Sequence, residues 1–158
     1  MTRLKGLISW FNLVGLLALA GCQQDWARPE RIRLKLGDQP AWAALNWNGQ
    51  GWEATNGTSH QQIFWLRFRI RLDAAGTAHK PLGLKIISLG SFEAFWDGRL
   101  IGHNGQVGRT KALERPGHHA TCWLLPDSDA KPGLHVLALS VSNFYARTGY
   151  SFYNRSGN

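Results

Sequence analysis

Gly90-Ser91-Phe92-Glu93-Ala94-Phe95-Trp96-Asp97-Gly98-Arg99-Leu100-Ile101-Gly102-His103-Asn104-Gly105 is the stretch on which the reading of this chain turns. Asp97-Gly98 is a strong hairpin signal, because a type I′ turn needs positive φ at both central residues and Asp-Gly tolerates it. A two-residue loop pairs Trp96 with Arg99, Phe95 with Leu100, Ala94 with Ile101 and Glu93 with Gly102. The side-chain period of two then puts Phe92, Ala94, Trp96 and Ile101 on one face, and Glu93, Phe95 and Leu100 on the other. The first face has no charge before Arg99 at the turn, so it is the expected core face. Gly102 and Gly105 end the second strand and let the chain bend away.

Outward from the hairpin the pattern stays that of strands. Phe64, Leu66, Phe68, Ile70 and Leu72 alternate with Trp65, Arg67, Arg69 and Arg71, the signature of a half-buried strand. Arg31-Ile32-Arg33-Leu34-Lys35-Leu36 alternates as cleanly, with Ile32, Leu34 and Leu36 inward. Leu82 to Leu89 is apolar on both faces, which suits a central strand, and Leu134 to Phe144 begins the same way. Thr121 to Leu125 is a shorter strand. Two long irregular segments remain, Ala41 to Gln62, with a short helical turn near Ala41–Leu45, and Gln106 to Ala120. Tyr145 to Asn158 can add an edge strand. With no useful helix after residue 22 and Gly/Pro turns between strands, the expected fold is an all-β sandwich.

Trp96-Asp97-Gly98-Arg99-Leu100-Ile101-Gly102-His103-Asn104-Gly105 resembles the hydrophobic-Asn-Gly-x-x-hydrophobic-Gly-x-x-Gly segment of galactose-binding-like jelly-roll domains. Asp97 stands where that pattern has Asn, a swap the turn accepts. Phe64-Trp65-Leu66-Arg67-Phe68 is similar to the upstream Trp-x-Arg-x-Phe strand, and Gly133 to Val141 to the late strand. The family includes the sugar-binding domain of family 2 glycoside hydrolases and N-terminal extracytoplasmic modules of bacterial membrane sensor kinases and cyclases. The resemblance covers about Phe64 to Asn143 and implies a β-sandwich (jelly roll) at residues 31–158. It implies a non-catalytic ligand-binding or sensory role, and catalysis in family 2 enzymes belongs to a separate barrel domain.

The N-terminus reads as a targeting segment. Arg3 and Lys5 precede a mostly apolar run from Leu7 to Ala20, shorter than the roughly 20 residues a spanning helix needs. Leu19-Ala20-Gly21-Cys22 closes it and resembles the bacterial lipoprotein processing box. Residues 1–21 are therefore expected to be a lipoprotein signal peptide, Cys22 the lipidated residue, and 22–30 a tether. Gln23 rather than Asp after the cysteine favours the outer membrane, with the module facing the periplasm. Cys122 then has no disulfide partner, and its apolar neighbours make it an expected buried residue.

The chain is basic, with 18 Lys and Arg against 10 Asp and Glu. An exported protein makes nucleic acid an unlikely partner, and the arginines fall at alternate strand positions, the pattern of a solvated sheet face. Hydrophobic residues make up 44% and charged residues 18%, which excludes a disordered chain. No metal or cofactor is expected: His118-His119 is the only histidine cluster and lacks a third ligand. No carboxylate pair or nucleophile elbow marks an enzyme.

Eight tryptophans are many for 158 residues. A sugar site needs an aromatic platform for the C–H face of the ring and polar groups for its hydroxyls. Trp47 and Trp52, among Asn48 and Asn56, offer the platform; His103, Asn104 and Arg109, with Gln106, offer polar groups. A small sugar or glycan is the expected ligand and a sensor kinase or cyclase the expected partner. Since the 158 residues carry no transmembrane bundle and no kinase motif, sensing implies a truncated relative, a fragment, or a subunit signalling through a separate protein. The rival expectations are an assembly lipoprotein that uses the sandwich for protein contacts, and the accessory domain of a glycosidase.

Overall fold

The computed structural model describes residues 27–46, 49–55, 62–78, 81–88 and 90–145. The expected signal peptide, Cys22, Trp47, Asn48, Asn56 and the segment from 146 onward lie outside them. Eight strands run β1 (Ala27–Leu36), β2 (Glu53–Ala54), β3 (Ile63–Leu72), β4 (Leu82–Ile87), β5 (Ser91–Trp96), β6 (Arg99–Asn104), β7 (Ala120–Leu125) and β8 (Gly133–Ser142). A 3-10 turn at Pro40–Ala43 and a five-residue helix, α1 (Ala74–Ala78), are the helical pieces among the described residues. Six strands form one antiparallel sheet in the order β2-β1-β3-β8-β5-β6, and β4 pairs with β7 in a second sheet.

The main core lies between the sheets. Alternate residues of β1, β3, β8 and β5 (Leu34, Phe64, Leu66, Leu139, Phe92 and Trp96 among them) meet Leu82 and Ile86 of β4 and Leu125 of β7. Each large apolar side chain so enclosed contributes about 1.5–3 kcal/mol. The hairpin forms as expected: Asp97 and Gly98 have φ of 50° and 86°, and Trp96 faces Arg99.

Several expectations need correction. Ala94 pairs with Gly102 and Glu93 with His103, because the register shifts after Phe95 and leaves Ile101 as an extra residue. The bulge brings Gly102 under the Trp123 indole, where a Cβ would lie 2.1 Å from Nε1. β1 begins at Ala27, four residues before the expected strand, and its register shift between Pro29 and Arg31 accommodates the proline. Leu36, at the strand's end, is 54% exposed rather than inward.

Two further corrections concern the sheets. The central strand is β8, hydrogen-bonded to β3 and β5 and buried from His135 to Ser142. β4, apolar on both faces, has β7 as its pairing partner and leaves Ile87 53% exposed. Cys122 is exposed, because it lies on the outer side of β7 opposite Lys85, in line with Leu124.

Candidate functional site

The outer face of the large sheet is where the chain builds a cavity. On that face the rungs between β1 and β3 pair Arg31 with Arg69 and Arg33 with Arg67. The segment after β1 turns back over this face at Gly37, whose φ is 113°. Pro40 opens the 3-10 turn, which drops Trp42 and Ala43 into the interior. There they join Trp52, Trp65, Ala138 and Phe95 in a second apolar cluster. Trp42 meets Trp52 edge-on at 6.0 Å and Trp65 at 6.4 Å, and Trp65 stacks on Phe95 at 5.5 Å. Such ring pairs add about 0.5–1.5 kcal/mol each beyond area burial.

Two cations of the sheet hold the segment down. Arg67 donates to the carbonyls of Trp42, Ala44 and Leu45 at 3.1, 2.9 and 3.3 Å. These are the carbonyls a short turn leaves without internal partners. Lys35 donates to the Gln50 carbonyl at 3.0 Å while its ammonium lies 4.7 Å from the Trp42 ring centre. Burial pushes the Arg67 guanidinium below the ordinary arginine value.

Beside this clamp opens a cleft of about 410 Å³, lined by Arg31, Arg33, Arg67 and Arg69 with Trp52, Leu45, Gly49, Leu134 and Val136. The lining combines a cationic rim with an apolar wall, and among the described lining residues none is acidic. Arg33 reaches the Trp52 carbonyl at 3.5 Å. The expectation of a plain solvated sheet face is thus corrected: the Trp42 and Trp52 cluster covers part of that face, and the arginines edge a cavity.

The residues singled out from sequence do not converge here. Trp52 lines the cleft but is only 6% exposed, so it is wall and packing at once. His103 is exposed on β6. Asn104 is 3% exposed and occupied: its amide donates to the His118 carbonyl and its oxygen accepts the His118 N–H, both at 2.7 Å. Gly105 and Gly117 permit that approach, for a Cβ on Gly105 would lie 2.3 Å from the Arg115 oxygen and one on Gly117 equally close to Asn104 Oδ1. Arg109 pairs with Asp38 at 2.7 Å, which is where the two long loops meet. Trp47 lies outside the described residues.

Asp97 does more than turn the chain. Its carboxylate accepts the Val136 N–H at 2.8 Å and meets His135 Nδ1 at 2.6 Å. The His135 ring, stacked on Trp96, reaches the Lys131 carbonyl through Nε2 at 2.8 Å. Both long contacts cross from hairpin to β8, so the turn is fastened to the central strand. Among the described residues no three His, Cys, Asp or Glu side chains gather as metal ligands.

Sequence reasoning missed Arg31, Arg33, Arg67 and Arg69 as a set. The available signal was their alternate spacing in two strands, which identifies a common face only once those strands are known to be neighbours.

The fold these elements make is an antiparallel β-sandwich that fits the galactose-binding-like module expected from the sequence, here with a cationic, aromatic-walled cleft on its larger sheet. Solved structures with a similar fold include two β-glucuronidases. The chain is similar to the β-glucuronidase of Bacteroides uniformis, with a TM-score of 0.53 and 15% identity over 77% of this chain and 15% of that one. It is also similar to the β-glucuronidase of Ruminococcus gnavus in complex with D-glucuronic acid, with a TM-score of 0.51 and 12% identity over 77% of this chain and 23% of that one. The chain therefore spans less than a quarter of either enzyme, and the likeness is one of fold. No protein-family model matches the sequence, and no curated protein does.

Proposed function

We propose that this chain is a non-catalytic saccharide-binding module of the bacterial cell envelope, anchored through lipid on Cys22 and facing the periplasm. The observation that carries the reading is the 410 Å³ cleft, in which Trp52 and Val136 supply apolar wall and arginines supply donors. Saccharide sites combine these two surfaces. The fold shared with two β-glucuronidases, one named with a bound sugar acid, supports the same ligand class. On this reading the module reports ligand to a membrane kinase or cyclase encoded as a separate chain.

The test is a thermal-shift and calorimetric screen of the lipid-free domain against a saccharide panel. Stabilisation by at least one saccharide class is expected, and a flat response across the panel overturns the reading. The anchor is tested separately. Cys22→Ala should release the protein from membranes or leave it unprocessed, and wild-type processing and fractionation of that variant would refute lipidation.

A second reading, an assembly lipoprotein, draws on the outer side of the small sheet. There Ile87 and Leu124 are 53% and 69% exposed, as a protein contact surface would need. Pull-down of an envelope protein that depends on Leu124, together with a flat saccharide panel, would favour it.

A further inference from the structure

We propose that the cleft on the large sheet selects an anionic saccharide, one bearing carboxylate, sulfate or phosphate, and that Arg31 and Arg69 are the residues that grip the anion. The inference rests on the saccharide-binding reading above and specifies its ligand.

The four cleft arginines are not equivalent. Arg67 is occupied, its guanidinium spread over three backbone carbonyls of the segment it clamps. Arg33 leans on the Trp52 carbonyl. Arg31 and Arg69 face each other across one rung, both are exposed, and among the described residues neither has a carboxylate partner. Opposed residues on neighbouring strands have Cβ atoms about 4.5–5.5 Å apart, and like charges there repel. The adjacent rung, Arg33 opposite Arg67, repeats the arrangement, so repulsion accumulates along one side of the cavity. Negative charge is at hand elsewhere in the molecule: Arg109 has Asp38 and Arg99 has Asp129. Among its described residues the cleft lining has none.

An anion between Arg31 and Arg69 converts that repulsion into two charge-assisted contacts. Guanidinium forks match the two oxygens of a carboxylate, or of a sulfate or phosphate, in a bidentate way that an ammonium cannot. The apolar wall formed by Trp52, Leu134 and Val136 completes a site for a ring that carries the charge. An inorganic anion would use the forks alone, and a neutral sugar the wall alone. The lining matches a ligand that has both.

The experiment is a glycan array carrying uronate-, sulfate- and phosphate-bearing saccharides beside neutral counterparts, probed with three proteins. These are the wild-type domain, the double variant Arg31→Ala/Arg69→Ala, and Lys85→Ala, which removes one charge from the other sheet. Wild type should prefer acidic to neutral glycans by at least tenfold. The double variant should lose that preference, while Lys85→Ala keeps it. Arg31→Lys/Arg69→Lys should keep the charge but lose most of the affinity, and the acidic class that survives best in wild type identifies the anion.

Equal binding of acidic and neutral glycans overturns this inference and leaves the saccharide reading standing. A loss in Lys85→Ala half or more of that in the double variant, on a logarithmic scale, also overturns it, since that would show attraction to net charge alone. Binding of no glycan, with or without capture of anionic phospholipid vesicles, overturns both. Because both arginines are exposed and repel each other, the double variant should melt no lower than wild type, so lost binding is not lost folding.

Discussion

The two long segments 37–62 and 105–119 differ in composition and in fate: the first has three tryptophans and no Lys or Arg, the second three basic residues and no tryptophan. In the first, the described residues 37–46 and 49–52 rest on the large sheet through Trp42 and Trp52, and hand carbonyls to Arg67 and Lys35. A cavity opens beside it. The second folds back on its own hairpin. Asn104 clasps His118, the buried Glu114 carboxylate accepts the Phe144 N–H at 2.7 Å, and the Gly108 N–H donates to Ser142 Oγ at 3.1 Å. Its Glu114 carboxylate is taken up by backbone and Arg109 by Asp38. A loop that closes on its own hairpin can therefore be a strut, and a loop supported by aromatic packing can leave the neighbouring polar groups free for a ligand.

Trp52→Ala is the heaviest blow to the first segment. Loss of a buried indole should cost about 3–5 kcal/mol in denaturant unfolding. Saccharide binding should fall with it, because the cleft loses its wall. An unchanged melt with lost binding would make Trp52 a ligand platform alone, and would break the contrast at its packing side.

Asn104→Ala does the corresponding damage to the second segment. It strands a backbone donor and acceptor at His118, which should cost about 1–3 kcal/mol, while the affinity of the folded fraction for saccharide stays at the wild-type level. Calorimetry on that variant sharpens the comparison. A selective loss of affinity with an unchanged melt would place ligand at the second loop after all.

Asp97 separates turn geometry from fastening to β8. Asp97→Ala should cost about 1 kcal/mol through the Val136 N–H and His135 contacts. Asp97→Asn should stay within about 0.5 kcal/mol of wild type. An asparagine accepts the Val136 N–H through its carbonyl and donates its amide to His135 Nδ1, leaving Nε2–H for the Lys131 carbonyl. Equal destabilisation by both substitutions would show that the charge, not the hydrogen bonding, fastens the hairpin.

The smallest expected effect has the opposite sign. Arg69→Ala relieves one like-charge rung and should raise stability by about 0.2–1 kcal/mol at low salt, with the gain shrinking as salt screens it. A clear loss of stability instead would mean that Arg69 is a second clamp like Arg67.

Much of the sandwich can be read along the chain, because strand alternation is local. A residue's face follows from its position in a pleat of period two, which is why Phe64 to Leu72 and the Asp97-Gly98 hairpin stand out from sequence. The anomalies have tertiary causes that alternation along the chain does not display. The Ile101 bulge exists to seat Trp123, a residue of the other sheet, against Gly102. Cys122 sits among apolar neighbours in sequence and is exposed because β7 belongs to a sheet of two.

The cleft is of a different kind. The arginines at alternate positions of β1 and β3 are visible in the chain, and so are Trp42 and Trp52. That the two strands are neighbours in antiparallel register, so that arginine stands over arginine, is a long-range fact. So is the return of the Trp42 segment over that same face. Alternation dictates which side chains share a face of one strand; only packing between distant parts of the chain decides what covers that face, and whether its charges are left to water, to a carboxylate or to a ligand.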